Sequence, residues 1–243
     1  MLPAATVSTV KPVKPYKGLG MEGAVAKWYA NLTGKSLDDF KALARRVADR
    51  LPARSSILEV APGPGYFAIE LAKLGDYQIT GLDISQTFVE IASANAAKAK
   101  VRIDFRRGNA SQMPFDDDTF DFLVCCAAFK NFTEPLRAIE EMYRVLRSGG
   151  QALIIDLRRD ASMESIHHAI DGMHLGVANS IVTKLTFRFM LLKRAYTKRD
   201  FEEFAAKTKF READIREDRI RLEVFLSKER PQNTNAAPVP KSC

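Results

Sequence analysis

The chain has 243 residues, 46% of them hydrophobic, and a formal net charge of +7. No apolar stretch approaches the length of a membrane span, so no membrane-spanning helix is expected. The three cysteines, two of them the neighbours Cys125 and Cys126, are too few and too badly placed for a disulfide framework, which points to a reducing, cytoplasmic setting. No CxxC and no Cys/His cluster at zinc spacing occurs, and a structural metal is not expected.

In chain order, residues 1–17 carry Pro3, Pro12 and Pro15 among scattered lysines and read as a disordered basic tail without the apolar core of a secretory signal. A helix is predicted from Gly20 to about Asn31, with Val25, Trp28, Tyr29 and Leu32 sharing one face. A second runs from Leu37 to Leu51 and is ended by Pro52. The core then alternates: strand 56–61, helix 66–74, strand 78–83, helix 85–98, strand 101–107, strand 120–126, helix 135–147 and strand 151–157. Strands and helices alternating at these lengths imply right-handed βαβ units and a mainly parallel sheet. Asp116, Asp117 and Asp118 form an acidic loop tip rather than a calcium site, since consecutive carboxylates do not converge as alternating ones do.

The densest information lies between Ser56 and Asp83. A short apolar strand breaks off at Ala61-Pro62-Gly63-Pro64-Gly65, and a helix begins at about Tyr66. Such a turn at the carboxyl end of a strand lets backbone approach a ligand. Glu59 interrupts the apolar strand, where an unpartnered carboxylate is costly. Asp83 ends the next strand, placed to bind a ribose diol. A dinucleotide fold also puts an acid there, but its third glycine is missing: Ala68 stands three residues after Gly65. A cationic, phosphate-free cofactor suits Glu59 better.

These residues resemble motif I of the class I S-adenosylmethionine (SAM) dependent methyltransferases, in which an acid precedes a glycine-rich turn. The resemblance runs from Ile57 to Leu157, through Asp83, Gly108-Asn109-Ala110, Phe120–Val124 and Arg144–Gly150. It implies a Rossmann-like α/β fold with a mainly parallel seven-stranded sheet, an antiparallel closing hairpin and a helical lid insertion. It also implies SAM as cofactor and methyl transfer to a small-molecule acceptor. Glu59, Ala61, Pro62, Gly63 and Gly65 would shape the methionine and sulfonium end; Asp83 would take the ribose hydroxyls, Ile84 would pack on the adenine, and Asn109 and Ala110 would meet its edge. Cys126 would line the pocket. Asn109 stands where the family has Asp, and its amide oxygen still accepts a hydrogen bond.

The acceptor side is read from departures. Ala128-Phe129-Lys130-Asn131-Phe132 stands where many relatives have L-H-H, which leaves Lys130 as a candidate for the catalytic role or for an anionic acceptor, with a solvated lysine as the alternative. Asn131, Trp28, Tyr29 and Arg158 are candidate acceptor contacts, and His174, with His167 and His168 beside it, is a candidate base. Residues 160–195 are the expected lid within a domain spanning 18–230, and 231–243 a second disordered tail. The basic stretch from Lys184 to Arg199 reads as a lid with solvated cations in preference to a membrane-surface helix. No arginine-rich block with interleaved aromatics suggests nucleic acid. Other SAM chemistry such as cyclisation, a silent SAM-binding module and NAD-dependent oxidoreduction remain as alternatives.

Overall fold

The computed structural model describes residues 16–18, 20–34, 37–171 and 191–230. Its centre is a seven-stranded sheet of order β3-β2-β1-β4-β5-β7-β6. The strands are β1 (Ser56–Val60), β2 (Gln78–Asp83), β3 (Asp104–Arg107), β4 (Phe120–Cys126), β5 (Leu146–Leu157), β6 (Asp214–Glu217) and β7 (Arg221–Ser227). The first five pair in parallel, and β7 runs antiparallel between β5 and β6. Strand order reverses between β1 and β4, and the crevice at that switch point is where ligands bind in open α/β sheets.

Seven helices are named here: α1 (Gly23–Thr33), α2 (Leu37–Ala48), α3 (Tyr66–Ala72), α4 (Gln86–Ala99), α5 (Pro135–Val145), α6 (Met163–Asp171) and α7 (Lys198–Ala206). The alternation along β4 explains the layering. Phe122 and Val124 pack with Ala44, Val47, Phe67 and Leu71 from α2 and α3. Leu123 and Cys125 face the other way, onto Ile139, Met142 and Phe201 from α5 and α7. A strand buried on both faces needs apolar side chains at successive positions, which the run F-D-F-L-V-C-C supplies except at Asp121. That carboxylate lies at the amino end of the strand and pairs with Arg147 at 2.9 Å.

Three boundaries differ from expectation. Helix α5 stops at Val145 and β5 begins at Leu146, because Leu146 pairs with Phe120 before the register shifts to Phe122 and Gln151. Gly149, at φ +84°, turns the chain there and donates to the Lys228 carbonyl. Strand β3 is only four residues long, and Ala61 leaves β1 with φ +57°. The acidic tip is a clasp as well: Asp117 pairs with Arg144 and Asp118 with Lys228, each at 2.8 Å. Arg144 also holds Glu141, whose carboxylate accepts from the Met113 amide.

The inner face of α1 differs from the predicted one. Ala26 and Ala30 are buried, whereas Val25, Trp28 and Leu32 are exposed, Trp28 to 63%. The small residues permit close approach: the Tyr66 hydroxyl donates to the Ala30 carbonyl at 3.0 Å. Trp28 therefore stands in solvent and does not line the site. Tyr29 turns inward and meets Phe88 of α4 edge-on, with ring centroids 5.9 Å apart. Of the predicted lid, residues 172–190 lie outside the described residues; Ile166 and Ile170 on α6 are fully buried. The predicted tail 231–243 and residues 1–15 also lie outside them. Tyr16 and Lys17, expected in the first tail, are instead tied down, Tyr16 bridging to Phe132 and the Lys17 amide donating to the Asn131 carbonyl at 2.7 Å.

Candidate active site

The site grows from the end of β1. The Ala61 amide donates to the Leu82 carbonyl at 2.8 Å, which carries the strand pairing into the turn. Gly63 follows at φ +54°, and its amide donates to Asp83 Oδ2 at 3.0 Å. Gly65, at φ +79°, is the residue before α3, and its amide donates to the Pro62 carbonyl. The two glycines serve different ends. A Cβ on Gly65 would meet Phe105 at 2.9 Å and Ala92 at 3.0 Å, so that glycine is required by packing. A Cβ on Gly63 would meet nothing within 4 Å, so the backbone there borders open space.

Two buried carboxylates lie on the strands beside this turn. Glu59 is 3% exposed and accepts from the Ala68 amide at 3.1 Å. Burial pushes its pKa up to about 8, partly offset by that hydrogen bond and reinforced by Asp83. Asp83 is 5% exposed and accepts from the amides of Ser85 (2.9 Å) and Gly63, one on each oxygen. Burial raises it to about 6 against those hydrogen bonds. Among the described residues no ion pair includes either acid, and two such buried acids fit a ligand that brings positive charge and hydroxyls together.

Beyond β2, Ser85 caps α4 by accepting from the Phe88 amide and donates its own hydroxyl to the Met21 carbonyl at 2.6 Å. Glu22, which sequence reasoning passed over, accepts from the Gln86 and Thr87 amides at 3.0 Å each and the Thr87 hydroxyl at 2.6 Å. A carboxylate suits the first turn of a helix. These bonds fasten the start of α1 beside Asp83. Ile84 is half-buried, with Arg107 Nε 3.4 Å from its carbonyl. Asn109 Oδ1 accepts from the Ser111 amide at 3.0 Å, so its side chain closes its own turn and one lone pair is already used. Ala110 packs at the edge of the core, and Cys126 is half-buried at the end of β4 with its thiol pushed up by burial.

The acceptor-side candidates fare differently. Lys130 is not solvated: it is 4% exposed and its ammonium lies 2.8 Å from Asp156 Oδ1. It also donates to the Ala127 carbonyl, while its own amide donates to Asp156 Oδ2 at 2.8 Å. An ammonium so committed is a structural tie, and this corrects the expectation of a free catalytic or substrate-binding lysine. Asp156 interrupts an apolar strand as Glu59 does; the same signal was present in I-I-D-L and went unread. Arg158 is likewise engaged, bonded to Asp160 at 2.8 and 3.0 Å, with Glu217 at 3.6 Å, which removes it as a carboxylate receptor. Asn131 Oδ1 is buried without a partner among the described residues. His174 lies outside the described residues, and His167 and His168 are exposed on α6. Among the described residues no cluster of three or more metal-ligating side chains occurs. A separate cleft under Pro114 and Phe115 opens near the amino ends of the strands, away from this site.

Residues 58–154, from within β1 to within β5, match the family model described as a methyltransferase domain. This segment is similar to a methyltransferase domain. A demethylmenaquinone methyltransferase from Deinococcus radiodurans is 32% identical over 123 residues, 50% of this chain and 50% of that protein. The chain therefore spans about half the length of the relatives it matches. A solved structure from Methanococcus maripaludis, assigned as a SAM-dependent methyltransferase, superposes with a TM-score of 0.73. The match covers 88% of this chain and 96% of that one at 21% identity. The [4+2]-cyclase SpnF superposes at 0.55, over 78% and 81% of the two chains, also at 21% identity. At such identities the likeness concerns the fold alone, which is the Rossmann-like fold of class I methyltransferases. The matched segment contains Glu59, the glycine turn, Asp83, Asn109 and Cys126; α1 and residues 16–18 lie outside it.

Proposed function

We propose that the protein is a class I SAM-dependent methyltransferase that acts on a small-molecule acceptor in the cytoplasm. The observation that carries this reading is the frame of Glu59, Gly63 and Asp83 around open space at the carboxyl ends of β1 and β2. SAM supplies an activated methyl group on a sulfonium. The chain binds and orients it: Asp83 accepts the ribose hydroxyls, Glu59 faces the cationic end, and the Gly63 backbone allows close approach. Tyr29 and α1 close the top of the pocket and exclude water, with Glu22 and Ser85 fixing the helix start. Asn131 Oδ1, buried and unpartnered, is the acceptor contact this reading retains.

The name of the Deinococcus relative suggests a ring-bearing, quinone-type acceptor as the first class to test. Incubation with methyl-labelled SAM and a panel of such compounds and other metabolites, followed by mass detection, should yield a methylated product. Binding of the cofactor with no transfer across the panel would favour a silent SAM-binding module. A rearranged, unlabelled product would favour cyclase chemistry.

A further inference from the structure

Most of the cations near the carboxyl ends of β4 and β5 are matched by carboxylates. Lys130 has Asp156, Arg158 has Asp160 and Glu217, and Arg159 has Asp200 at 2.9 Å. Lys17 and Arg194 break this pattern: none of the ion pairs among the described residues includes either. Yet the fold holds them together. Arg194 Nη1 donates to the Lys17 carbonyl at 3.1 Å, and Lys17 Nζ donates to the Tyr196 hydroxyl at 2.8 Å, 5.0 Å from the centre of that ring.

Their placement is fixed from both sides. Tyr16 and Lys17 run along Phe132 and Asn131, just after β4, and Tyr196 bridges to Arg158, just after β5. Tyr16, next to Lys17, feels both Arg194 and Asp83: burial raises its phenol, Arg194 pulls it down and Asp83 pushes it up. Neither head group pairs with a carboxylate among the described residues, so an anion seated against them would supply the missing counter-charge. Donors are in surplus, since an ammonium has three and a guanidinium five, of which the bonds above use one each.

We propose that Lys17 and Arg194, with the Tyr196 hydroxyl orienting the ammonium, form an anion-binding wall of the acceptor pocket that selects acceptors bearing an ionised carboxylate or phosphate. The inference rests on the reading of these strand ends as an acceptor site. It assigns to the two chain crossings outside the matched segment a role that Lys130 and Arg158, already paired, do not fill.

The test is binding of three probes to the full chain, with and without S-adenosylhomocysteine: 4-hydroxybenzoate, its neutral amide 4-hydroxybenzamide, and phenyl phosphate. At least one anionic probe should bind about tenfold or more tightly than the amide, as a charge-assisted hydrogen bond warrants. The stronger of the two anions tells carboxylate from phosphate. The preference should collapse in Lys17→Gln and in Arg194→Gln, and persist in Lys17→Arg and Arg194→Lys, which keep the charge even if the neutral variants loosen the strap. Equal binding of charged and neutral probes, a preference that survives the neutral substitutions, or no binding by any probe overturns the proposal. Binding of S-adenosylhomocysteine to the same samples is recorded separately, so failure of the cofactor reading shows as loss of that signal alone.

Discussion

The Gly63 amide donates to Asp83 Oδ2 at 3.0 Å, so the glycine turn after β1 and the acid ending β2 are one unit. The side chain that shapes the turn is also the one proposed to receive the ribose. Replacing Asp83 with Ala should therefore weaken S-adenosylhomocysteine binding by about 1.5–3 kcal/mol, the scale of a hydrogen bond to a charged group. Calorimetry on a variant that still folds checks this; unchanged affinity would remove Asp83 from the site.

The buried acids give the site a pH dependence. In the ligand-free fold Glu59 titrates at about 8 and Asp83 at about 6, both above their ordinary values of 4.5 and 3.8. The folded state then binds more protons than the unfolded one between those limits, so stability is highest below the ordinary values and falls as pH rises through about 6 and then about 8. Bound SAM should oppose this fall, and its affinity should tighten from pH 6 to pH 9 with release of a proton. Calorimetry in buffers of different ionisation heats measures the release. Glu59→Gln should flatten the dependence near pH 8, and an unaltered profile in that variant would place the proton elsewhere.

The Lys130–Asp156 pair is 4% and 2% exposed at the side chains. Lys130→Met should cost about 3–5 kcal/mol, because Asp156 is left as an uncompensated buried charge. The double change Lys130→Met with Asp156→Leu should recover part of that loss in thermal unfolding. A single variant as stable as the parent would show that the pair is not closed in solution.

Trp28 and Tyr29 are neighbours with opposite fates. Trp28→Ser, on the 63% exposed position, should change stability by no more than about 0.5 kcal/mol and leave cofactor affinity as it was. Tyr29→Ala should weaken the cofactor measurably, since its ring closes on Phe88 beside the site. Equal effects of the two substitutions would contradict the orientation of α1.

The frame from Glu59 to Asp83 was legible in the sequence because its signals are local: an acid inside an apolar strand, two glycines in a turn, an acid at the next strand end. Sheet and helix layering followed from alternation at that scale. What stayed hidden depends on distant partners. Lys130 and Asp156 stand 26 residues apart, and only the parallel pairing of β4 with β5 makes them neighbours. The tie between Lys17 and Tyr196 spans 179 residues. Helix α1 misled for a different reason: its alanine face and its Val25-Trp28-Leu32 face both have helical spacing, and the closeness of Tyr66 decides between them. The start of β5 was misplaced because Leu146 pairs with Phe120 across a register shift that no local pattern announces.

Titration calorimetry of the full chain at pH 8 with SAM, S-adenosylhomocysteine, NAD and NADP tests the central claim most directly. The account predicts one site that takes SAM and S-adenosylhomocysteine, with both nicotinamide dinucleotides silent. Binding of NAD or NADP with no heat from SAM would contradict it, because the space beside Gly63 and the acids at 59 and 83 would then serve a different cofactor.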